Sequence, residues 1–152
     1  WLHTGDLAKI DSDGYITIIG RKKDTIVTSG GDNIAPAKVE AMLVMKPEID
    51  QVMVYGDKKP WLSAIVVPAS ENKNCNAVFE DISRCIAEVN QTLAQTEKIR
   101  RFLIADAPFS VENALLTPTS KVRRSAVINV YKAQLDALYR KKSKHNNDGN
   151  QD

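Results

Sequence analysis

The residue best placed to do chemistry is Lys121, which lies in the stretch 110–124, SVENALLTPTSKVRR. Three hydroxyl side chains surround it, at Thr117, Thr119 and Ser120. Pro118 braces the turn before the lysine, and a basic segment that opens a helix follows it. A lysine presented in this way offers a compact positive charge to a phosphate or a carboxylate. Because the chain has 21 Lys and Arg residues, this stretch alone favours an ordinary surface lysine at the start of a helix.

A second pair of motifs lies far upstream, TGD at residues 4–6 and GRKKD at residues 20–24. The Asp6 carboxylate can accept hydrogen bonds from two vicinal hydroxyls, as recognition of a ribose requires. Arg21 has a planar donor fork that suits a ribose or a phosphate. Each residue also has a simpler interpretation, since Asp6 can cap a turn and Arg21 can be a solvated linker charge.

The three stretches together resemble the C-terminal part of the adenylate-forming acyl-CoA synthetase superfamily, which includes firefly luciferase and the adenylation domains of peptide synthetases. In that family a TGD motif, a GRxxD motif and a late lysine occur in this order. The resemblance extends from Trp1 to about Tyr139. It implies that Lys121 is the catalytic lysine and that Asp6 and Arg21 bind the ribose of the adenylate. The hinge between the two domains of such enzymes would be Lys23.

A glycine-containing segment after the GRKKD motif, SGGDNIAPAKVE at residues 29–40, is also similar to the family pattern. In the family, a glycine here lets the pantetheine arm of CoA pass close to the backbone. Gly30 is the match by position, and Gly31 is the adjacent alternative. Asp32 stands where many members have Arg or His. For both glycines a tight turn is the simpler interpretation.

The form of the lysine motif points to one branch of the family. Most members have Gly-Lys, whereas this chain has Ser120-Lys121 within LLTPTSKVRR, which resembles the long-chain fatty acyl-CoA synthetases. The segment 54–68 resembles that branch too. The implied activity is an AMP-forming ligase that joins fatty acid and ATP to acyl-adenylate and then transfers the acyl group to CoA. The alternatives are an adenylation domain for another carboxylate or an amino acid, and a non-catalytic interaction domain of the same fold.

The resemblance also implies partners and a missing part. ATP and Mg²⁺ would be held mainly by a large N-terminal AMP-binding domain that precedes Trp1, and the isolated chain would be inactive. We expect a cytoplasmic protein. The basic run 140–142 is the candidate for peripheral contact with a membrane, but a solvated helix end is the favoured interpretation of that run. The sequence shows neither an apolar run long enough for a membrane span nor a signal peptide.

The overall composition excludes some other classes. The net charge is only +2 and basic residues alternate with acidic ones, which does not favour nucleic-acid binding. The two cysteines, Cys75 and Cys85, lie ten residues apart, and the two histidines, His3 and His145, lie near opposite ends. This pattern favours a reduced thiol pair and no metal site.

The residue pattern predicts an α+β fold, with a hairpin lobe (1–20), a charged hinge linker (21–24), a lobe of sheet and helices (25–139) and a disordered tail (140–152). The expected helices run from Pro36 to about Lys46, from Asn76 to about Glu97 and from about Arg124 to Tyr139. Strands are expected at 25–28, 51–55, 62–67 and 101–104, and the first three are expected to form one small sheet.

Overall fold

A β-hairpin begins the chain in the computed structural model, which describes residues 6–21, 24–69 and 74–140. Strands β1 (Asp6–Ile10) and β2 (Ile16–Arg21) pair antiparallel. The Asp11 carboxylate accepts hydrogen bonds from the backbone N–H groups of Asp13 (2.9 Å) and Tyr15 (3.0 Å), which closes the turn. The hairpin prediction is confirmed, but Gly20 does not end it. Arg21, assigned to the linker from the sequence, is the last residue of β2.

A second small ribbon follows, formed by β3 (Ile26–Val27) and β4 (Asn33–Ile34), which also pair antiparallel. The expectation that residues 25–28 join the main sheet is therefore wrong. The N–H group of Val27 instead donates to the Asp57 carboxylate (3.2 Å). The carbonyl of Val27 accepts from the N–H group of Lys58 (2.7 Å). Since these bonds satisfy the backbone of Val27 and Ile26 pairs with Ile34, β3 needs no place in the larger sheet.

The main sheet has three strands in the order β5–β6–β7. β5 (Ile49–Tyr55) pairs antiparallel with β6 (Leu62–Pro68), and β6 pairs parallel with β7 (Ile99–Ile104). Residues 62–67 of the central strand are all buried, which explains why its sequence is apolar without alternation. The position after β5 suits glycine, because a Cβ atom at Gly56 would lie 2.5 Å from the Leu62 side chain.

Helices α1 (Pro36–Val44) and α2 (Cys75–Asn90) share a core with one face of this sheet. Pro36 occupies the first turn of α1, as predicted. α2 ends well before the expected Glu97. The Asn90 side chain exchanges two hydrogen bonds with the backbone of Ile99 (2.8 and 2.9 Å), which turns the chain into β7. Phe79 in α2 is 50% exposed and stacks on Phe102.

Helix α3 (Arg124–Tyr139) packs on the opposite face of the sheet. The two faces follow the alternation along β5, since Met53 lies in the core with α3, whereas Val52 and Val54 lie in the core with α1 and α2. The bounds of α3 agree with the prediction, and the α+β class is confirmed. The hinge candidate Lys23 and residues 141–152 of the predicted tail lie outside the described residues. No helix in the described ranges has the length and hydropathy of a membrane span.

Candidate functional site

The turn that carries Lys121 is closed by backbone and side-chain bonds together. The N–H of Ser120 donates to the carbonyl of Thr117 (2.8 Å), and the N–H of Thr117 donates to the carbonyl of Lys121 (2.8 Å). The N–H of Lys121 donates to the Thr117 hydroxyl (3.1 Å), so both backbone groups of the lysine are occupied. Leu116 and Val122 form an isolated β-bridge beneath the turn. Because Lys121 is exposed, its charge is available on a fixed backbone.

Ser120 has the left-handed conformation that favours glycine, with a φ of 62°. This gives a physical reason for the Gly-Lys pair that is usual in the family that the sequence resembles. A serine at this φ costs on the order of 1–2 kcal/mol relative to an unstrained residue. The turn keeps its shape because the surrounding hydrogen bonds impose it.

The loop before the turn is fixed to the edge strand β5. The side-chain amide of Gln51 donates to the carbonyl of Phe109 (3.0 Å) and accepts from its N–H group (2.7 Å). The side-chain Oδ1 of Asn113 accepts from the N–H groups of Ser110 (3.0 Å) and Leu115 (3.2 Å). Phe109 and Leu115 are buried against α3. The loop before the lysine turn is therefore held in place by side-chain hydrogen bonds and by burial, although it is neither helix nor strand.

An ion pair between Glu40 and Arg124 holds the start of α3. Both guanidinium nitrogens lie 2.7 Å from a Glu40 oxygen, and Glu40 also accepts from the N–H of Val54 (2.9 Å). Residue pattern alone does not predict this pair, because its members are 84 residues apart. The available signal was the basic run that follows Lys121, in which Arg124 occupies the first helical position.

The glycine loop is a separate structure, joined to the turn between β5 and β6. The N–H of Ser29 donates to the carbonyl of Lys59 (3.0 Å). Gly31 requires glycine, since its φ is 88°. At Gly30 a Cβ atom would meet Asp32 and Thr28 only at ordinary contact distances of 3.5 and 3.8 Å. The fold thus requires glycine at position 31 and does not require it at position 30.

The predicted ribose-binding residues lie opposite each other in the hairpin. Asp6 in β1 and Arg21 in β2 are cross-strand partners at the open end. The pairing brings together, at backbone level, two residues that are fifteen positions apart in the sequence. In the sequence, the hinge candidate Lys23 lies two residues after Arg21.

A cleft of about 470 Å³ lies between residues 24–26, the end of β5 and the start of α3. Val122 and Arg124 line it. The cleft therefore borders the point at which the chain leaves the predicted linker, close to the lysine turn.

The far end of α3 is anchored by Tyr139. Its hydroxyl lies 2.8 Å from the Ser63 hydroxyl and also contacts the carbonyl oxygens of Trp61 (3.0 Å) and Tyr55 (3.3 Å). Burial raises the pKa of Tyr139 to about 12, and the Ser63 bond opposes that rise. The helix that follows Lys121 is thus held at both ends.

The two thiols differ in environment. Cys75 is exposed at the start of α2, whereas Cys85 is buried and lies 3.2 Å from the Glu48 carboxylate. Burial and the Glu48 bond raise the pKa of Cys85 to about 11. Since the thiolate is the reactive form, Cys85 is suited to packing and not to nucleophilic catalysis.

Comparison with curated proteins finds long-chain-fatty-acid–CoA ligases. The chain is 35% identical over 160 residues to the long-chain-fatty-acid–CoA ligase FadD15 of Mycobacterium tuberculosis, covering 93% of this chain and 27% of that protein. It is 35% identical over 159 residues to long-chain-fatty-acid–CoA ligase 1 of Cavia porcellus, covering 91% of this chain and 23% of that protein. The chain thus spans about a quarter of the length of these relatives.

Solved structures share the fold. The adenylation domain of a carboxylate reductase from Mycobacterium chelonae aligns with a TM-score of 0.80 at 28% identity, covering 90% of this chain and 22% of that one. A Mycobacterium tuberculosis fatty acyl CoA synthetase aligns with a TM-score of 0.59 at 28% identity, covering 88% of this chain and 25% of that one. The family model described as AMP-binding enzyme C-terminal domain matches residues 23–143. The chain therefore belongs to the family of AMP-binding enzyme C-terminal domains.

Proposed function

We propose that this chain is the C-terminal part of an AMP-forming long-chain fatty acid–CoA ligase, and that Lys121 is its catalytic residue. The observation that carries the proposal is the lysine turn, in which both backbone groups of an exposed lysine are hydrogen-bonded. The ligase names of the relatives support this substrate class.

In the proposed first step, a fatty acid carboxylate attacks the α-phosphorus of ATP and pyrophosphate leaves. Lys121 would lie between the carboxylate and the α-phosphate, where it offsets their negative charges as they approach. A fixed cation of this kind lowers the barrier because it needs no reorganisation during the reaction. Lys121 forms no covalent bond in this step.

In the proposed second step, the thiol of CoA attacks the acyl carbonyl and AMP leaves. Gly30 would line the path of the pantetheine arm, as the family resemblance implies, because a residue without a side chain lets the arm pass close to the backbone. The glycine loop is fixed to the β5–β6 turn, whereas the lysine turn precedes α3. Presenting each in turn to one reaction centre requires the lobe to rotate, with Lys23 as the hinge.

The remaining assignments concern the nucleotide and the partner domain. Asp6 and Arg21 would bind the ribose from the open end of the hairpin. The other ATP contacts and Mg²⁺ would belong to an N-terminal AMP-binding domain. A cytoplasmic protein that touches membranes only at its surface would suit a fatty acid substrate.

A second candidate function is adenylation of another carboxylate for transfer to an acceptor other than CoA. The observation that favours it is the higher TM-score to a carboxylate reductase adenylation domain than to the fatty acyl CoA synthetase, 0.80 against 0.59. The two functions differ in the second step. CoA-dependent release of AMP from acyl-adenylate supports the ligase, and its absence supports the second candidate.

The experiment that tests the catalytic role measures the two half-reactions of the full-length enzyme separately. In the Lys121→Ala variant, formation of acyl-adenylate should fall about a hundred- to thousandfold. Thioester formation from supplied acyl-adenylate should remain near the wild-type rate. Lys132→Ala, which removes an exposed lysine of α3, is the matched control. Equal losses in both half-reactions would contradict the assignment.

A further inference from the structure

We propose that Glu40 and Arg124 are positioning residues for Lys121, and that they act in the adenylation step alone. The inference rests on the proposed catalytic role of Lys121. It concerns residues of α1 and α3 that touch none of the reacting groups in that proposal.

The ion pair between Glu40 and Arg124 has a defined geometry as well as opposite charges. Each guanidinium nitrogen of Arg124 donates to a different oxygen of Glu40 at 2.7 Å, in the parallel geometry that fixes the plane of both groups. The side chains of Arg124 and Glu40 are only 25% and 16% exposed. Such a pair is weakly screened by solvent and holds one geometry better than a surface ion pair.

Glu40 is itself held by the sheet. One of its oxygens accepts from the N–H of Val54 (2.9 Å) as well as from Arg124. Val54 belongs to β5, which is an edge strand of the main sheet. The Glu40 carboxylate therefore accepts a hydrogen bond from the backbone of the edge strand. The position of this carboxylate is set by the sheet as well as by helix α1.

Arg124 connects the Glu40 carboxylate to the segment that contains the lysine turn. It is the first residue of α3 and lies three residues after Lys121. The residue before it, Arg123, serves as N-cap without a side-chain capping bond, so the usual means of fixing a helix start is missing here. The N–H of Arg123 donates to the carbonyl of Leu115 (2.8 Å), which joins the helix start to the base of the turn. Arg124 thus ties the segment that contains the lysine turn to Glu40 and β5, and releasing Arg124 would loosen that attachment.

The decisive variant is Glu40→Gln in the full-length enzyme. Glutamine keeps the size and one acceptor for Val54, but it removes the charge and one acceptor for Arg124. We expect acyl-adenylate formation to fall roughly tenfold to a hundredfold, the range expected when a catalytic group shifts by about 1 Å. Thioester formation from supplied acyl-adenylate should stay within about twofold of the wild-type rate.

A double-mutant cycle with Lys121→Ala separates positioning from general stability. If Glu40 acts through the lysine, Glu40→Gln should add little to the loss already caused by Lys121→Ala. Lys38→Gln is the matched control, because Lys38 lies on the same helix and forms an ion pair with Glu97 (3.1 Å) on a different side of the lobe. This control should leave both half-reactions unchanged.

Each outcome decides the question. Equal slowing of both half-reactions by Glu40→Gln, or a loss that adds fully to that of Lys121→Ala, would overturn the positioning role. If Lys121→Ala has no effect on adenylation, the proposed function fails instead. If Glu40→Gln does not fold, Arg124→Lys is the second variant, because lysine keeps the positive charge but cannot form the two parallel hydrogen bonds to Glu40. The same selective loss of acyl-adenylate formation is expected for it. An Arg124→Lys enzyme with wild-type adenylation would then refute the proposal.

Discussion

Replacement of Tyr139 by phenylalanine tests whether the end of α3 is held as the structure indicates. The substitution removes only the hydroxyl, whose partners are the Ser63 hydroxyl and the carbonyl oxygens of Trp61 and Tyr55. The aromatic contacts with Trp61, whose ring centroid lies 5.4 Å from that of Tyr139, should persist. Any change in stability therefore reports on the hydrogen bonds.

The expected loss follows from the number of groups left without a partner. The Ser63 hydroxyl keeps its contact with the carbonyl of Tyr55 (3.4 Å), whereas the carbonyl of Trp61 loses its bond from the Tyr139 hydroxyl. One net hydrogen bond contributes about 1 kcal/mol, and an unsatisfied buried group costs about 1–3 kcal/mol. We expect the free energy of unfolding to fall by about 1–3 kcal/mol and Tm to fall by roughly 2–4 °C for each kcal/mol.

The pH dependence provides an independent test of the same group. The pKa of Tyr139 is raised from its ordinary value of 10.0 to about 12 in the folded state. The stability linked to this shift is present below pH 10 and is lost as the pH rises from about 10 to about 12, since the unfolded chain releases the proton first. Because the ring is partly exposed, we expect this contribution to be on the order of 1–2 kcal/mol.

Denaturant titrations of the wild type and Tyr139→Phe at pH 8 and at several pH values above 10 would measure both effects. The difference in stability between the two proteins should be largest at pH 8 and should shrink as the pH rises. Tyr15→Phe is the control, because the side chain of Tyr15 is 73% exposed. A Tyr139→Phe variant as stable as the wild type, or a difference that does not depend on pH, would refute the reasoning.

Three further predictions concern the turn, the hinge and the buried thiol. Ser120→Gly should raise the free energy of unfolding by a few tenths of a kcal/mol up to about 1 kcal/mol, because relief of the positive φ outweighs the added freedom of the unfolded chain; a drop in denaturant midpoint would contradict it. Lys23→Pro should impair one half-reaction of the full-length enzyme far more than the other, since a fixed φ would trap one orientation of the lobe; a folded variant with wild-type rates in both steps would exclude Lys23 as the hinge. The pKa of Cys85 is raised to about 11, so this buried thiol should react with iodoacetamide at pH 8 much more slowly than the exposed Cys75. Unfolding should remove this difference in rate, and mass spectrometry of the two cysteine-containing peptides would measure it.

Local signals predicted much of this fold. Pro36 marks the first turn of α1, and the apolar spacing of Val127, Tyr131 and Leu135 predicts α3 within its observed bounds. The lysine turn was also predictable, because Pro118 and its neighbouring hydroxyls act within a few residues of one another. These features depend on contacts close in sequence, which residue type and spacing encode directly.

The errors come from contacts that are distant in sequence. The spacing along α2 continued to Leu93, but the chain turns at Asn90 because its side chain binds the backbone of Ile99. β3 was assigned to the wrong sheet, since its propensity does not reveal that Asp57 and Lys58 satisfy its backbone. Propensity predicts an element, whereas the partner of that element depends on tertiary structure.

The lysine turn shows how both kinds of contact combine at the site. Its shape is local, but its location in the lobe depends on Gln51 and Glu40, which bind the segments before and after it. Both residues bring the turn to β5, since Gln51 belongs to that strand and Glu40 accepts from the N–H of Val54. The irregular segment is thereby fixed to the sheet, so a rotation of the lobe would carry Lys121 as part of one rigid body. Under the proposed function, the step that the lysine serves would then be selected by the orientation of the lobe and not by movement of the turn within it.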